Sequence, residues 1–211
     1  MQIVGSCLTI EGFKKYVDTY NFGTLPANKL VIHHTWKPTV EEWKGESTFY
    51  GIKSYYENLN WSAGPHIFIA PDGIWLLTPM RKNGIHAGSL NWRSIGIEVV
   101  GNYDTTVWSG TIKEETLAVI STLMEKLSIG EKDIRFHREV SSKSCPGWSI
   151  TKEWLFKELK NYNSKTPADL SPWAMDAWKW AEEHALDLTI APQQNVTAEW
   201  VFAILHKLNK S

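Results

Sequence analysis

The chain alternates between short, almost wholly apolar runs and longer stretches with helical spacing. Leu30–His34, LVIHH, is apolar and rich in β-branched residues, and reads as a buried strand. His66–Leu77, HIFIAPDGIWLL, reads as two short strands joined at Pro71-Asp72-Gly73. Pro presets its turn angle there, Asp can bond nearby backbone, and Gly accepts positive φ. Ser94–Asn102, SIGIEVVGN, predicts a third strand, interrupted by the charge of Glu98. A helix is expected at about 112–128: Thr111 and Glu114 match a capping box, and Leu117, Ile120, Met124 and Leu127 form an apolar stripe. Ile134–His137 predicts another strand, and about 151–162 a helix after the loop around Pro146 and Gly147. Strands and helices alternate, which predicts an α/β fold with a mixed central β-sheet flanked by helices.

The texture changes near 163–170. NSKTPADLSP is polar, holds two prolines and reads as a linker. Two short helices are expected beyond it, the first capped by Ser171 with Pro172 at its first position, the second capped by Thr197 and burying Val201, Ile204, Leu205 and Leu208. The expected organisation is a main domain over 1–163 and a small all-α C-terminal module over 164–211.

Composition then narrows the class. The 211 residues carry 22 basic and 23 acidic side chains and are 43% hydrophobic, which excludes intrinsic disorder and gives no basic field for nucleic acid. No apolar run reaches the roughly eighteen residues of a membrane span, so no membrane insertion is expected. The start, MQIVGSCLTIEGFKKY, lacks a basic leading segment and does not read as a signal peptide, so synthesis in a cytoplasm is expected. Two Cys, Cys7 and Cys145, cannot build a disulfide framework, and Cys7 reads as a small buried hydrophobe. The twelve Trp include Trp173, Trp178, Trp180 and Trp200 in the C-terminal segment.

Three residues have metal-ligand character: His33 and His137, each ending an expected strand, and Cys145, eight residues after His137 in a Cys-Pro-Gly loop. Imidazole and thiolate suit zinc, and three protein ligands leave a fourth position for water. Either histidine could instead be satisfied by core hydrogen bonds. Glu98, among Ile95, Ile97, Val99 and Val100, is either a buried carboxyl of raised pKa or an edge-strand residue facing solvent. Lys143 is either a donor to a developing oxyanion or a solvated loop lysine.

The strings VIHHTW, SIGIEVVGN and HREVSSKSCPG, in this order, resemble the type-2 N-acetylmuramoyl-L-alanine amidases, a family that includes lysozyme-type phage endolysins and animal peptidoglycan recognition proteins. The similarity covers about 25–160. It implies a zinc groove on a mixed sheet, and cleavage of the amide between N-acetylmuramic acid and L-Ala of the stem peptide. It implies His33, His137 and Cys145 as ligands of one Zn2+ per chain, His34 as their neighbour facing substrate, and Glu98 and Lys143 as catalytic groups. His86 of GIHAG, Asn91 and Arg93 would line the groove, where surface polarity or a structural bond explains them equally well. Where relatives carry a catalytic Tyr, this chain has Pro65, which leaves Glu98 as proton carrier. His66 reads as structural. The C-terminal segment resembles a helical module akin to a surface-layer homology repeat, read either as a wall anchor or as Trp residues packing a small unit.

The expected function is therefore that of a phage or prophage endolysin acting on bacterial peptidoglycan after holin-type release. A non-catalytic peptidoglycan-binding protein of the recognition type is the alternative, against which the presence of Cys145 beside both histidines argues. A Cys–His peptidase with Cys145 as nucleophile and His137 as base is a third reading.

Overall fold

The computed structural model describes residues 1–164. The expected C-terminal helices and their Trp residues lie outside the described residues, as do His184 and His206. In chain order the elements are β1 (Ser6–Leu8), α1 (Ile10–Thr19), β2 (Lys29–His34), α2 (Glu46–Asn58), β3 (Ile67–Ala70), β4 (Gly73–Leu76), β5 (Ser94–Val99), α3 (Gly110–Leu127), β6 (Ile134–Phe136) and α4 (Lys152–Asn163). The strands form one sheet in the order β1-β4-β3-β5-β2-β6. β4 runs antiparallel to β1 and β3, while β2, β3, β5 and β6 are mutually parallel where they pair. The sheet is mixed, as the pattern predicts.

The apolar runs are long because the central strands are covered on both sides, so they cannot alternate apolar with polar. On one face Leu30, Ile32, Ile95, Ile97, Ile67 and Ile69 are fully buried. Pairing sets Val31 beside Gly96 and His33 beside Glu98 on the other face, with Phe68 on the far side of Glu98. That second face is roofed by α2. Phe49 stacks on Trp75 at 4.7 Å and meets Phe68 edge-on at 6.2 Å. α1 and α3 pack on each other and against β3 and β4. The Thr9 hydroxyl accepts the Gly12 N–H at 3.1 Å and starts α1.

Several expectations are corrected. β5 lies between β3 and β2, so Glu98 is not on an edge strand. α3 starts at Gly110 after Ser109, ahead of the expected Thr111 cap, and it buries Ile112, Thr116, Val119 and Leu123 beside Leu117 and Ile120, whereas Met124 and Leu127 are only partly covered. The last expected strand ends at Phe136, and His137 opens a tight 3-10 turn, His137–Glu139. Cys7 is exposed, because β1 is a three-residue edge strand paired only with β4. The elements β1, α1 and α2 were not expected from the pattern.

His66 ties this face together. Its Nδ1 accepts the Gly96 N–H at 2.9 Å, and its Nε2 donates to the Lys82 carbonyl at 2.9 Å. Burial lowers its pKa from 6.5 to about 4, partly offset by the Lys82 bond. The unfolded chain takes up this proton below pH 6.5, whereas the folded chain refuses it until about pH 4. The His66 contribution is therefore present above pH 6.5 and lost as pH falls towards 4, with an upper bound of about 3 kcal/mol. Urea unfolding of wild type and His66→Gln between pH 7 and pH 4 should give a shallower pH slope in the variant. Equal slopes would contradict a neutral buried His66.

Candidate metal centre and groove

Because β2, β5 and β6 run parallel, their C-terminal ends gather at one edge of the sheet, the usual location for a site in such folds. β2 delivers His33 and His34, β5 delivers Glu98, and the turn after β6 delivers His137. Cys145 arrives on the following loop, which Arg138 holds: its guanidinium donates to the carbonyls of Gly147 at 2.8 Å and Ile150 at 2.7 Å, and its N–H to that of Cys145 at 2.8 Å. One ligand atom each from His33, His137 and Cys145 lies within 4.8 Å of the others, a spacing that a single metal ion could bridge.

The Cys145 Sγ is 3.6 Å from His33 Nδ1 and accepts the His34 N–H at 3.3 Å. Glu98 Oε1 stands 3.8 Å from His33 Nδ1, and its buried Oε2 has no hydrogen-bond partner among the described residues. Burial sets the charges. It pushes Glu98 up to about 8, opposed by the positive charge of Lys143. It pushes the Cys145 thiol up, reinforced by Glu98. It holds His33, His34 and His137 below their usual range. Neutral imidazoles present lone pairs, and a buried thiol needs a positive partner to ionise, so this donor set fits a bound cation.

The centre opens into a groove of about 1000 Å³. Lys143, exposed, lines it together with His34 and His86. The His34 Nδ1 accepts the Tyr103 N–H at 3.2 Å, which leaves its proton on Nε2. His86 also bonds His33 directly, at 3.0 Å. Asn91 and Arg93 do not line the groove. The Asn91 Oδ1 accepts the N–H groups of His86 and Ala87 at 3.0 and 2.7 Å, and the Arg93 Nε–H donates to the Pro26 carbonyl at 3.0 Å. Their polar ends are spent on backbone.

Aromatic side chains also line the groove: loop Trp residues were expected there, whereas the tyrosines of α2 were not read from sequence. Trp36 and Tyr55 are 54% and 59% exposed, and Tyr56 stacks on Trp61 at 5.2 Å with planes 5° apart. The spacing of Phe49, Ile52 and Tyr56 at helical intervals is the signal that would have marked α2 and its groove side.

A profile described as N-acetylmuramoyl-L-alanine amidase matches residues 23–148, more than half of the chain. Peptidoglycan-recognition protein SC2 of Drosophila melanogaster is 30% identical over 106 residues, 48% of this chain and 58% of that protein. The chain thus spans less than two thirds of that curated relative. Among solved structures, the endolysin N-acetylmuramoyl-L-alanine amidase LysCS from Clostridium intestinale URNW is 26% identical with a TM-score of 0.53, over 66% of this chain and 87% of that one. The Ph2119 endolysin from Thermus scotoductus MAT2119 bacteriophage Ph2119 shares the fold at 19% identity and a TM-score of 0.53, over 66% and 89% of the two chains.

The Cys145 loop turns at Gly147, whose φ is +110° and whose Cβ, if added, would lie 2.3 Å from the Tyr103 carbonyl oxygen. Gly147→Ala should displace the loop and expose Cys145. In a Cys7→Ala background, thiol labelling should accelerate by about tenfold or more, as an overpacking cost of about 1–3 kcal/mol implies. Unchanged labelling would show that this close approach does not hold the loop.

Proposed function

The chain belongs to the N-acetylmuramoyl-L-alanine amidase family, and on that premise we propose that it is a zinc-dependent hydrolase of the amide joining N-acetylmuramic acid to L-alanine in bacterial peptidoglycan. The observation that carries this reading is the convergence of His33, His137 and Cys145 beside a buried carboxyl, Glu98, with an unpartnered oxygen. His33, His137 and Cys145 would hold one Zn2+. When bound, zinc supplies Lewis acidity, polarising a carbonyl oxygen and acidifying water.

The remaining work falls to the chain. Glu98, raised to about 8 yet able to ionise beside Lys143, takes the proton of the attacking water and passes it to the departing alanine nitrogen as the C–N bond breaks. Lys143, at the groove, attracts the negative charge that develops on the carbonyl oxygen. The Nε2–H of His34 faces substrate. Residues 1–163 form the catalytic domain, and 164–211 an accessory module. We also infer a phage or prophage origin, which the endolysin name of the LysCS neighbour supports, and action on the wall after release through a holin.

Digestion of purified peptidoglycan tests this. Chelation should abolish the appearance of new N-terminal alanine, and zinc should restore it. Cleavage that persists under full chelation would contradict the zinc mechanism, and no cleavage in any condition would favour a binding protein. Separately, Glu98→Gln should lower turnover by about 10²–10⁴-fold while zinc content stays near one per chain. Retention of most activity would move the proton-carrying role away from Glu98.

A further inference from the structure

His86 is buried and lies at the start of an ordered chain of hydrogen bonds that runs away from the metal centre. Its Nδ1 is 3.0 Å from His33 Nε2, and its Nε2 is 3.2 Å from the Ser94 hydroxyl. That hydroxyl in turn donates to the Asn91 carbonyl at 3.2 Å. The Asn91 side chain closes the loop by accepting the backbone N–H of His86 at 3.0 Å. The segment from His86 to Ser94 is thus a bracket that grips the imidazole at both ends.

The ring also sits in a slot of its own shape. A Cβ on Gly96 would lie 2.7 Å from His86 Cγ and Nδ1, and one on Gly84 would lie 2.8 Å from His86 Cδ2. No side chain fits at either position while the ring is in place. Gly96, on β5, makes room for this imidazole, while Gly84, on the preceding loop, is crowded as well by the Gly64 carbonyl oxygen and the His66 ring, each 2.7 Å from such a Cβ.

The direction of each bond follows from counting protons. A serine hydroxyl has one proton to donate, and for both 3.2 Å contacts of Ser94 to be hydrogen bonds that proton must go to the Asn91 carbonyl, which can only accept. Towards His86 the Ser94 oxygen must therefore accept, which puts the His86 proton on Nε2. The His86 Nδ1 is then a bare acceptor, so in the 3.0 Å contact His33 must donate from Nε2. With its proton on Nε2, His33 has its lone pair on Nδ1. That is the atom 3.6 Å from the Cys145 Sγ and 3.8 Å from Glu98 Oε1.

We propose that His86 is a positioning residue which, through Ser94 and the Asn91 carbonyl, selects the Nε2–H tautomer of His33 and thereby aims the His33 Nδ1 lone pair into the metal centre before any metal binds. The proposal rests on the metal-centre reading above for its purpose, but the tautomer order is a property of the metal-free chain. It also joins the GIHAG and SIGIE strings in one device. The first supplies the ring, and the second supplies its acceptor Ser94 and its slot at Gly96.

Long-range proton–nitrogen NMR of the full chain, metal-free at neutral pH, tests the order directly. His86 and His33 should both carry their ring proton on Nε2. His86 protonated on Nδ1, or His33 on Nδ1, would overturn the proposal whatever the metal does. Zinc affinity by chelator competition tests the consequence. His86→Leu removes the acceptor and should weaken binding by about 10–100-fold. His86→Asn, whose carbonyl oxygen takes the place of Nδ1, should recover most of that loss. A Leu variant as tight as wild type, or an Asn variant no better than Leu, would overturn it. Failure of wild type to bind zinc would instead refute the metal centre, and with it the purpose assigned to His86, while the NMR result still decides the tautomer order. If His86→Leu does not fold, the wild-type tautomers remain decisive.

Discussion

The parallel pairing of β2 with β5 is the constraint on which the site depends. It sets His33 opposite Glu98 on one face, and Ile32 opposite Ile97 on the other. Side chains alternate with a period of two, so a slip of one residue would carry Glu98 to the fully apolar face and an isoleucine to the centre. The cost of burying an unpaired carboxyl among those isoleucines makes that slip prohibitive. β6 extends the same logic. It pairs Phe136 with Ile32, so that His137 emerges one step later beside His33, with ring centres 4.7 Å apart. Register thus delivers His33, Glu98 and His137 together, and only Cys145 needs a loop to bring it in.

The same burial that locks the register sets the chemistry. His33 and Glu98 sit in a face whose other members include Phe68 and Val31, and water is largely excluded. The histidines are held neutral, Glu98 is held towards its protonated form, and the thiol resists ionisation. At neutral pH only the Glu98 state costs stability, because imidazole and thiol are already largely neutral in the unfolded chain. Each of these states becomes useful once a cation is near: neutral nitrogen is a ligand, the thiol gains a reason to ionise, and a carboxyl poised near neutrality can take and return a proton. Local rules are broken here and kept elsewhere, as expected of a site built into an otherwise consistent fold.

Much of this was legible in the sequence, and the reasons differ by element. The central strands were readable because parallel strands covered on both faces leave continuous apolar runs. His33, His137 and Cys145 had metal-ligand character, but their spacing alone left core hydrogen bonding open for the histidines, and the resemblance carried the candidate set. Glu98 was ambiguous, since one charge in an apolar run fits either a buried acid or an edge strand, and only the strand order decides it. α2 went unread although Phe49, Ile52 and Tyr56 recur at helical spacing, because only Phe49 among them is fully buried and polar residues surround the three. The resemblance set Asn91 and Arg93 along the groove with surface polarity as the alternative, and their hydrogen bonds to backbone are tertiary facts that no local pattern encodes.

The central claim is a single mixed nitrogen–sulfur centre made by His33, His137 and Cys145. Zinc-edge X-ray absorption of the loaded full chain addresses it most directly. The account predicts one sulfur at about 2.3 Å and two imidazole nitrogens at about 2.0–2.1 Å, with the sulfur lost in Cys145→Ser. A shell of light atoms alone, or a sulfur contribution that survives the removal of Cys145, would contradict it.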